Sequence, residues 1–321
     1  MNAICSPTGS IVALVTPFRD HAVDADTLAA LCERQITRGT TALLACGSTG
    51  EASSLSMAEY FAVVHLVAGA SDGRLAVIAG CGAGATESAI ECARLAASAG
   101  ADMLLCAPPA YVKPTQEGIF AHVRAVAHAT NLPVMLYDVP GRAGVPIADE
   151  TVARLFEKSL IVAIKDATAD LSRPPRLRAL CGDGFLQMSG DDATAAAHRA
   201  MGGAGCVSVT ANVAPALCAA MHRAWEGGDL ARFAELRDLL AELHQALFLE
   251  SNPIPLKAAL AMLRLCGPDL RLPLTFASRP TRERLATALA RIVGNEDREA
   301  RHVIASARVR PLSLSMRLGA T

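Results

Sequence analysis

Residues 134–166 read VMLYDVPGRAGVPIADETVARLFEKSLIVAIKD, and this stretch carries the pattern that decides the fold. Two short and almost wholly apolar runs, Val134–Asp138 and Ile161–Asp166, enclose a glycine- and proline-containing segment followed by a helical stretch. Strands that are apolar throughout, without alternation, are typical of parallel strands covered on both faces. The stretch therefore predicts a strand–helix–strand unit.

The same rhythm extends in both directions along the chain. Amphipathic segments such as Asp26–Arg38 and Glu87–Ala99 separate the apolar runs. The predicted strands are Ile11–Val15, Ala42–Cys46, Ala76–Ala79, Met103–Cys106, Val134–Asp138, Ile161–Asp166, Phe185–Ser189 and Cys206–Val209. Eight β-α units in about 220 residues favour a (β/α)₈ TIM barrel, with an open doubly wound sheet as the alternative.

After Trp225 the pattern is helical only, with predicted helices at Asp229–Phe248, Pro255–Leu265 and Thr281–Val293. We therefore expect a catalytic barrel over residues 1–224 and a C-terminal helical region over 225–294. The tail, residues 295–321, contains five arginines but little apolar periodicity, and we expect it to be poorly ordered.

Composition excludes several classes of protein. The chain has 321 residues, 30 Lys+Arg against 31 Asp+Glu and 52% hydrophobic residues, so a basic surface for nucleic acid or an acidic membrane is not expected. No apolar run approaches the ~20 residues of a membrane span, and no secretion signal is visible. Ten scattered cysteines without metal-site spacing indicate reduced thiols and a cytoplasmic protein.

Lys165 is the first candidate for chemistry, because it is one of only four lysines and ends an apolar strand. It shares a predicted face with Ile161 and Ala163. In a barrel the functional side chains lie where strands end. Burial disfavours the ammonium form of a lysine, and the free amine can form a Schiff base with a ketone. The alternative is a strand-end lysine whose ammonium reaches water or pairs with Asp166.

Tyr137 ends the preceding strand, so it would lie beside Lys165 at the same rim. A phenol there could carry protons, although a core tyrosine with a satisfied hydroxyl is the alternative. Arg142 follows in a Gly/Pro-rich loop and could grip a carboxylate, or could simply be solvated.

Glycine-rich turns follow two earlier strands. Ser48 and Thr49, flanked by glycines, could hold a small carboxylate. Residues 80–85, GCGAGA, match the G-x-G-x-x-A fingerprint of dinucleotide-binding proteins, which raises the rival hypothesis of an NAD-dependent oxidoreductase. The fingerprint falls on the third unit instead of the first, and Asp102 opens the next strand instead of closing it. Tight strand-to-helix turns therefore account for these glycines better.

Seven motifs in order make the chain resemble the dihydrodipicolinate synthase family, within the pyruvate-dependent class I aldolases that also include N-acetylneuraminate lyase. The resemblance covers roughly residues 9–294. The motifs are GSTGE at 47–51, PPAYVKPTQEG at 108–118, LYDVPGRAG at 136–144, IKDAT at 164–168, SGDD at 189–192, VSVTAN at 207–212 and NPIPLK at 252–257.

The resemblance implies a lyase of lysine (diaminopimelate) biosynthesis that condenses pyruvate with L-aspartate-4-semialdehyde to 4-hydroxy-tetrahydrodipicolinate. It implies no cofactor or metal, no nucleic-acid or membrane partner, and a homo-oligomer, either a dimer or a homotetramer built from two dimers. Two alternatives stay open. One is an aldolase or lyase of the same family acting on a sugar acid or another aldehyde, and the other is a non-catalytic binding relative.

The family's functional positions carry over to eight residues. Lys165 would form the imine, and Tyr137 would relay protons together with Ser48, which stands where most members have threonine. Tyr111 would complete the relay from across a subunit interface. Thr49, Val207 and Gly190 would hold pyruvate, the second through its backbone. Arg142 would bind the carboxylate of aspartate semialdehyde.

The chain departs from the family pattern in two respects. Asp138 replaces the usual asparagine of the Y-N-V-P motif, and Ala110 replaces a tyrosine often found before Tyr111. Lysine-inhibited members bind lysine through histidine, asparagine, glutamate and tyrosine. The matching positions are Tyr60, Gly84, Ser88 and Ala110, so we expect feedback inhibition by lysine to be weak or absent.

Overall fold

A computed structural model describes residues 7–82 and 84–309 of the chain. Its main feature is a set of eight parallel strands. They are β1 Gly9–Ala13, β2 Ala42–Ala45, β3 Ala76–Gly80, β4 Met103–Cys106, β5 Val134–Asp138, β6 Ala163–Asp166, β7 Leu186–Ser189 and β8 Gly205–Ser208.

These strands close into a barrel in which each strand pairs with its neighbours in sequence. Closure is made by β1, where Ile11 is the register partner of Ala42 in β2 and of Val207 in β8. An open sheet would leave two unpaired edges, so the predicted (β/α)₈ barrel is confirmed and the open-sheet alternative is wrong.

Helices surround the barrel and continue beyond it. They are α1 Ala25–Thr37, α2 Met57–Ser71, α3 Thr86–Ser98, α4 Gln116–Ala127, α5 Pro140–Ala143, α6 Asp149–Glu157, α7 Arg173–Cys181, α8 Ala195–Ala200, α9 Pro215–Glu226, α10 Leu230–Ala246, α11 Ile254–Met262 and α12 Arg279–Val309. Single 3₁₀ turns cover Ala52–Ser54 and Thr210–Asn212, and a two-stranded hairpin pairs Phe18–Arg19 with Ala22–Val23.

The strands are buried on both faces because alternate residues contribute to two separate apolar clusters. Residues such as Met135, Tyr137 and Ala163 fill the barrel interior, and their sequence neighbours Leu136 and Ile164 pack outward against the helices. This alternation directs Lys165, two positions after Ala163, into the barrel. Ile161 belongs to the outer cluster, so the expectation that it shares a face with Lys165 is wrong. The strand begins only at Ala163, and the alternation does not extend back to residue 161.

The C-terminal helices pack on the barrel's outer layer. Helix α9 crosses the expected boundary between residues 224 and 225, and α10 packs against both α9 and α12. Residues 295–309 of the expected tail continue α12. Glu296 is 4% exposed and accepts backbone N–H groups from Ala216 and Leu217, the first orphan donors of α9. The rest of the expected tail, residues 310–321, lies outside the described residues.

Within the part of the chain that the structure describes, no helix is both long and apolar enough to cross a membrane.

Candidate active site

Lys165 and Tyr137 are direct register partners on the adjacent strands β5 and β6. The Nζ atom of Lys165 lies 4.2 Å from the centroid of the Tyr137 ring. Both side chains are largely buried inside the barrel, with 6% and 9% of their surface exposed. An amine and a phenol are therefore held together near the carboxyl end of the barrel, as the sequence predicts.

Tyr137 of this pair lines a cavity of about 530 Å³, whereas Lys165 is not part of the cavity wall. Its walls come from the loops that follow β2, β3, β4 and β5, which is where the carboxyl ends of barrel strands place their functional groups. One side is closed by the C-terminal region, through Asn252 and residues 272–274. The cavity is large enough for two small organic acids beside Tyr137.

The outer face of the same two strands carries their next residues, Asp138 and Asp166. Arg173 of α7 lies between them, with Nη1 2.7 Å from Asp138 Oδ2 and 3.4 Å from Asp166 Oδ2. Its Nε also pairs with Asp149 at 2.8 Å. Burial raises the pKa of Asp138, and the guanidinium of Arg173 opposes that shift. Asp166 thus faces away from Lys165, and no ion pair joins them within the described chain.

Ser48 and Thr49 follow β2 and lie at different depths. Ser48 lines the cavity, whereas Thr49 is only 4% exposed and accepts a hydrogen bond from Asn252 Nδ2 at 2.9 Å. Among residues 7–82 and 84–309, no hydrogen bond joins Ser48 to Tyr137. The structure therefore brings Ser48 to the cavity without forming the hydroxyl contact that a proton relay needs.

Val207 lies in the barrel interior, and Gly190 lies at the carboxyl end of β7. Val207 is 1% exposed and belongs to the inner cluster on β8. Gly190 directly follows β7 and lies against the aliphatic stem of Lys165. Gly190 is therefore next to Lys165, and Val207 shares the barrel interior with Tyr137.

Arg142 lies on α5, the short helix that follows β5, and lines the cavity. Its Nη2 donates a hydrogen bond to the backbone oxygen of Asn252 at 3.0 Å. A guanidinium has five N–H donors, so several remain for a carboxylate in the cavity.

Tyr111 is not brought to this cavity within one chain. Its side chain is 95% exposed, and its backbone has the positive φ of 73° that only a few non-glycine residues adopt. Arg142 is also exposed, but it lines the cavity, whereas Tyr111 does not.

A buried ion network beneath the cavity wall escaped the sequence analysis. Lys257 is 0% exposed and pairs with Glu51 at 2.5 Å, while burial lowers its pKa and Glu51 opposes that shift. The other oxygen of Glu51 accepts the backbone N–H of Arg271, whose guanidinium pairs with Glu59. The network joins the loop that carries Ser48 and Thr49 to the C-terminal region. Its only sequence signal was the presence of Glu51 and Lys257 in two of the quoted motifs.

Gly80, the first glycine of residues 80–85, has a packing role. A Cβ at Gly80 would lie 2.2 Å from the backbone oxygen of Cys46, so only glycine permits this approach between β3 and the loop after β2. No group of three or more His, Cys, Asp or Glu side chains in the described ranges could hold a metal ion.

Comparison with known proteins gives a consistent result. The family model described as the Dihydrodipicolinate synthetase family matches residues 6–292. The 4-hydroxy-tetrahydrodipicolinate synthase of Hyphomonas neptunium is 50% identical over 284 residues, which cover 88% of this chain and 97% of that protein. The protein of the same name from Rhodospirillum centenum is 48% identical over 283 residues, with the same two coverages.

Solved structures agree. The chloride-inhibited dihydrodipicolinate synthase of Acinetobacter baumannii, solved with pyruvate, has a TM-score of 0.86 at 42% identity and covers 89% of this chain and 99% of that one. The 4-hydroxy-tetrahydrodipicolinate synthase of Methylacidiphilum fumariolicum has a TM-score of 0.88 at 36% identity, with coverages of 92% and 99%. The chain is therefore a member of the dihydrodipicolinate synthetase family.

Proposed function

We propose that this protein is a lyase that condenses pyruvate with L-aspartate-4-semialdehyde to 4-hydroxy-tetrahydrodipicolinate, in lysine (diaminopimelate) biosynthesis. One observation carries the proposal: the Lys165 amine lies inside the barrel, 4.2 Å from the centre of the Tyr137 ring, and Tyr137 lines a cavity that also has Arg142 in its wall. Relatives at 48–50% identity bear the name of this synthase.

The chemistry begins at Lys165. Its Nζ attacks C2 of pyruvate, and the ketone oxygen leaves as water, which gives an imine. Loss of a proton from C3 turns the imine into an enamine, and C3 then attacks the aldehyde carbon of the second substrate. The aldehyde oxygen takes up a proton and becomes the 4-hydroxyl group. The amino group of the second substrate then displaces Lys165 from C2 and closes the ring.

Tyr137 is the proton carrier for these steps, because its phenol is adjacent to the amine. In our proposal Ser48 and the Tyr111 of a second copy complete the relay. The full exposure of Tyr111 in a single chain supports this, since a partner could cover it. The functional unit would then be a homo-oligomer, a dimer or a dimer of dimers, working in the cytoplasm.

In our proposal, carboxylate binding determines which substrates the protein accepts. Thr49, Gly190 and the backbone of Val207 hold pyruvate beside Lys165. Arg142, in the wall of the same cavity, binds the carboxylate of the aldehyde through its free N–H donors. A carboxylate-bearing aldehyde is therefore favoured over a neutral one.

Borohydride trapping with pyruvate tests the imine directly. Reduction should add one pyruvyl group to the wild-type protein, and peptide mapping should place it on Lys165. Lys165→Ala should show no adduct, while Lys158→Ala, which removes an exposed lysine, should trap like wild type. A folded wild-type protein without an adduct would refute the enzyme assignment and favour a binding role.

The aldehyde is tested separately, by comparing kcat/KM for aspartate semialdehyde with that for succinic semialdehyde and with cleavage of N-acetylneuraminate. Aspartate semialdehyde should be preferred, and a preference for a sugar acid would assign the chain to another member of the family. Ser48→Ala should reduce turnover but still form the trapped imine. Full turnover in that variant would remove Ser48 from the relay.

A further inference from the structure

Asn252 brings the helical C-terminal region into contact with the cavity. It lies just before α11 and is 7% exposed, and it lines the cavity on the side opposite the barrel strands. Its side chain bonds Thr49, which is 203 residues earlier in the sequence, and its backbone oxygen bonds Arg142. One residue therefore contacts both groups to which we assign carboxylate binding.

The contact with Thr49 fixes the direction of a hydroxyl proton. Asn252 Nδ2 donates to Thr49 Oγ1 at 2.9 Å, so one lone pair of that oxygen is occupied. A hydroxyl group also has a single proton to donate. Thr49 Oγ1 has no other hydrogen bond within the described residues. The Thr49 hydroxyl therefore accepts a hydrogen bond from the Asn252 amide. Its own proton stays available for donation to a different group.

The contact with Arg142 orients the second group. The guanidinium Nη2 donates to the Asn252 backbone oxygen at 3.0 Å, which holds one end of the planar fork against the loop before α11. A guanidinium held at one nitrogen presents the remaining N–H groups in a fixed direction. This contact uses the main chain, so it is independent of the amide side chain of Asn252.

Two further features support a role at the site. Asn252 Oδ1 is buried and lacks a hydrogen-bond partner within the described chain, an uncommon arrangement that calls for an explanation. The loop itself is held firmly, because the buried Lys257–Glu51 pair ties α11 to the segment that carries Thr49. The amide is thus presented by rigid elements and is not free to follow the substrate.

We propose that Asn252 is a positioning residue for both substrates. Its side chain presets the Thr49 hydroxyl to donate to the carboxylate of pyruvate, and its backbone oxygen seats Arg142 for the carboxylate of the aldehyde. This inference rests on the proposed function, since it assumes that pyruvate binds at Lys165.

The test measures the pyruvate concentration that gives half-maximal borohydride trapping. Asn252→Ala removes the amide but keeps the backbone oxygen that holds Arg142. The half-saturating concentration should rise roughly tenfold to a hundredfold, as expected when a hydrogen bond to a charged group is weakened. Trapping at saturating pyruvate should stay within about twofold of wild type, because the imine chemistry itself is untouched. Asn131→Ala, at an exposed loop position, is the matched control and should leave the half-saturating concentration unchanged.

A double-mutant cycle distinguishes positioning from general support of the fold. Thr49→Val should raise the half-saturating concentration as much as Asn252→Ala does, and the double variant should be no worse than either. Thr49→Ser should retain most of the binding. Asn252→Asp keeps the shape of the side chain but accepts the Thr49 proton and adds a negative charge, so it should bind pyruvate more weakly than Asn252→Ala.

Several outcomes would overturn the inference. Unchanged half-saturation in Asn252→Ala would do so, as would multiplicative effects of the Asn252 and Thr49 variants. A lowered melting temperature with normal half-saturation would show a purely structural role. Should Asn252→Ala fail to fold, the isosteric Asn252→Asp variant replaces it in the test. Unchanged half-saturation in that variant would overturn the inference. Absence of an adduct in the wild-type protein would instead refute the proposed function, which separates the two failures.

Discussion

Gly190 lies directly against the stem of Lys165. A Cβ atom built on Gly190 would lie 3.1 Å from both Cγ and Cε of that lysine, and 3.0 Å from the Cβ of Ala167. Such distances are shorter than ordinary carbon contacts, so one of these groups would have to move. The missing side chain at residue 190 therefore leaves space for the lysine in the position where its Nζ lies over the Tyr137 ring.

Gly190→Ala should displace the Lys165 amine while leaving the fold intact. Because small misplacements of a nucleophile are costly, we expect kcat to fall about tenfold to a hundredfold. The rate of borohydride trapping should fall in parallel. Gly184→Ala, at a position where a Cβ would meet nothing within 4 Å, is the control. Equal trapping rates in the two variants would show that Lys165 tolerates the added methyl group.

The side chain of Arg173 should contribute far more to the free energy of unfolding than the negative charge of Asp138. Arg173→Ala leaves the buried Asp138 and Asp166 without their cation, and breaking buried pairs of this kind costs ~3–5 kcal/mol. Asp138→Asn keeps an oxygen that can accept from Arg173 and from the backbone N–H of Ile147, so its effect should be within ~1 kcal/mol.

Denaturant unfolding of both variants at one protein concentration measures the difference. A loss in Asp138→Asn as large as that in Arg173→Ala would mean that the charge of Asp138 is essential.

Glu296 should anchor the last helix. Glu296→Ala removes the acceptor of the Ala216 and Leu217 N–H groups and the partner of Arg38, so we expect a loss of about 1–3 kcal/mol. Its neighbour Asp297 has a side chain that is 55% exposed and lies 3.8 Å from Arg38, and Asp297→Ala should change stability by less than ~0.5 kcal/mol. Thermal unfolding of the two variants side by side checks the difference, and similar melting points would contradict it.

His222 should make the fold sensitive to acid. Burial, and then the nearby charge of Arg199, lowers the pKa of His222 to about 3. The unfolded chain protonates the same group near pH ~6.5. Stability from this histidine is therefore complete above pH ~6.5 and falls by up to ~1.4 kcal/mol per pH unit as the pH drops from there toward 3.

Melting temperatures between about pH 7.5 and pH 5 measure this dependence. His222→Gln cannot titrate, so its melting temperature should fall less steeply with acid than that of wild type. His65→Gln, on an exposed position of α2, is the matched control. Identical slopes for wild type and His222→Gln would assign the acid sensitivity to other groups.

Lysine should inhibit this protein weakly or not at all. Tyr60 is 3% exposed and its hydroxyl oxygen is buried, and Gly84, Ser88 and Ala110 carry no charged side chain for an amino acid to bind. Initial rates measured with millimolar lysine should match those without it. Inhibition at sub-millimolar lysine would show that a different set of residues forms a binding site.

The barrel was predictable because its strands are apolar on both faces, which produces eight separate runs in the sequence. The adjacency of Tyr137 and Lys165 followed from the same topology, since consecutive barrel strands pair in register. The observed strand limits differ from the predicted ones by up to two residues. For example, β1 was predicted at Ile11–Val15 and is observed at Gly9–Ala13. Loop residues near the strand ends contribute little apolar periodicity to define those limits.

Two features could not be predicted from local patterns. Helix α12 continues through a segment rich in arginine, where Glu296 is buried because its partners are backbone N–H groups of a different helix. The contact between Asn252 and Thr49 joins residues 203 positions apart, and neither residue type marks it. Both features depend on contacts with residues that are distant in the sequence. The periodicity of the local sequence carries no information about such contacts.

The contacts between the C-terminal region and the cavity also affect the order in which the site forms during synthesis. The ribosome completes all eight strands, including Lys165 and Tyr137, before it reaches Asn252, Lys257 and Arg271. A nascent chain that has closed its barrel still lacks one wall of the cavity and the amide that bonds Thr49. The pyruvate pocket would therefore be complete only after most of the polypeptide has left the ribosome. A truncated chain that ends at α10 would contain Lys165 but would lack the C-terminal wall of the cavity.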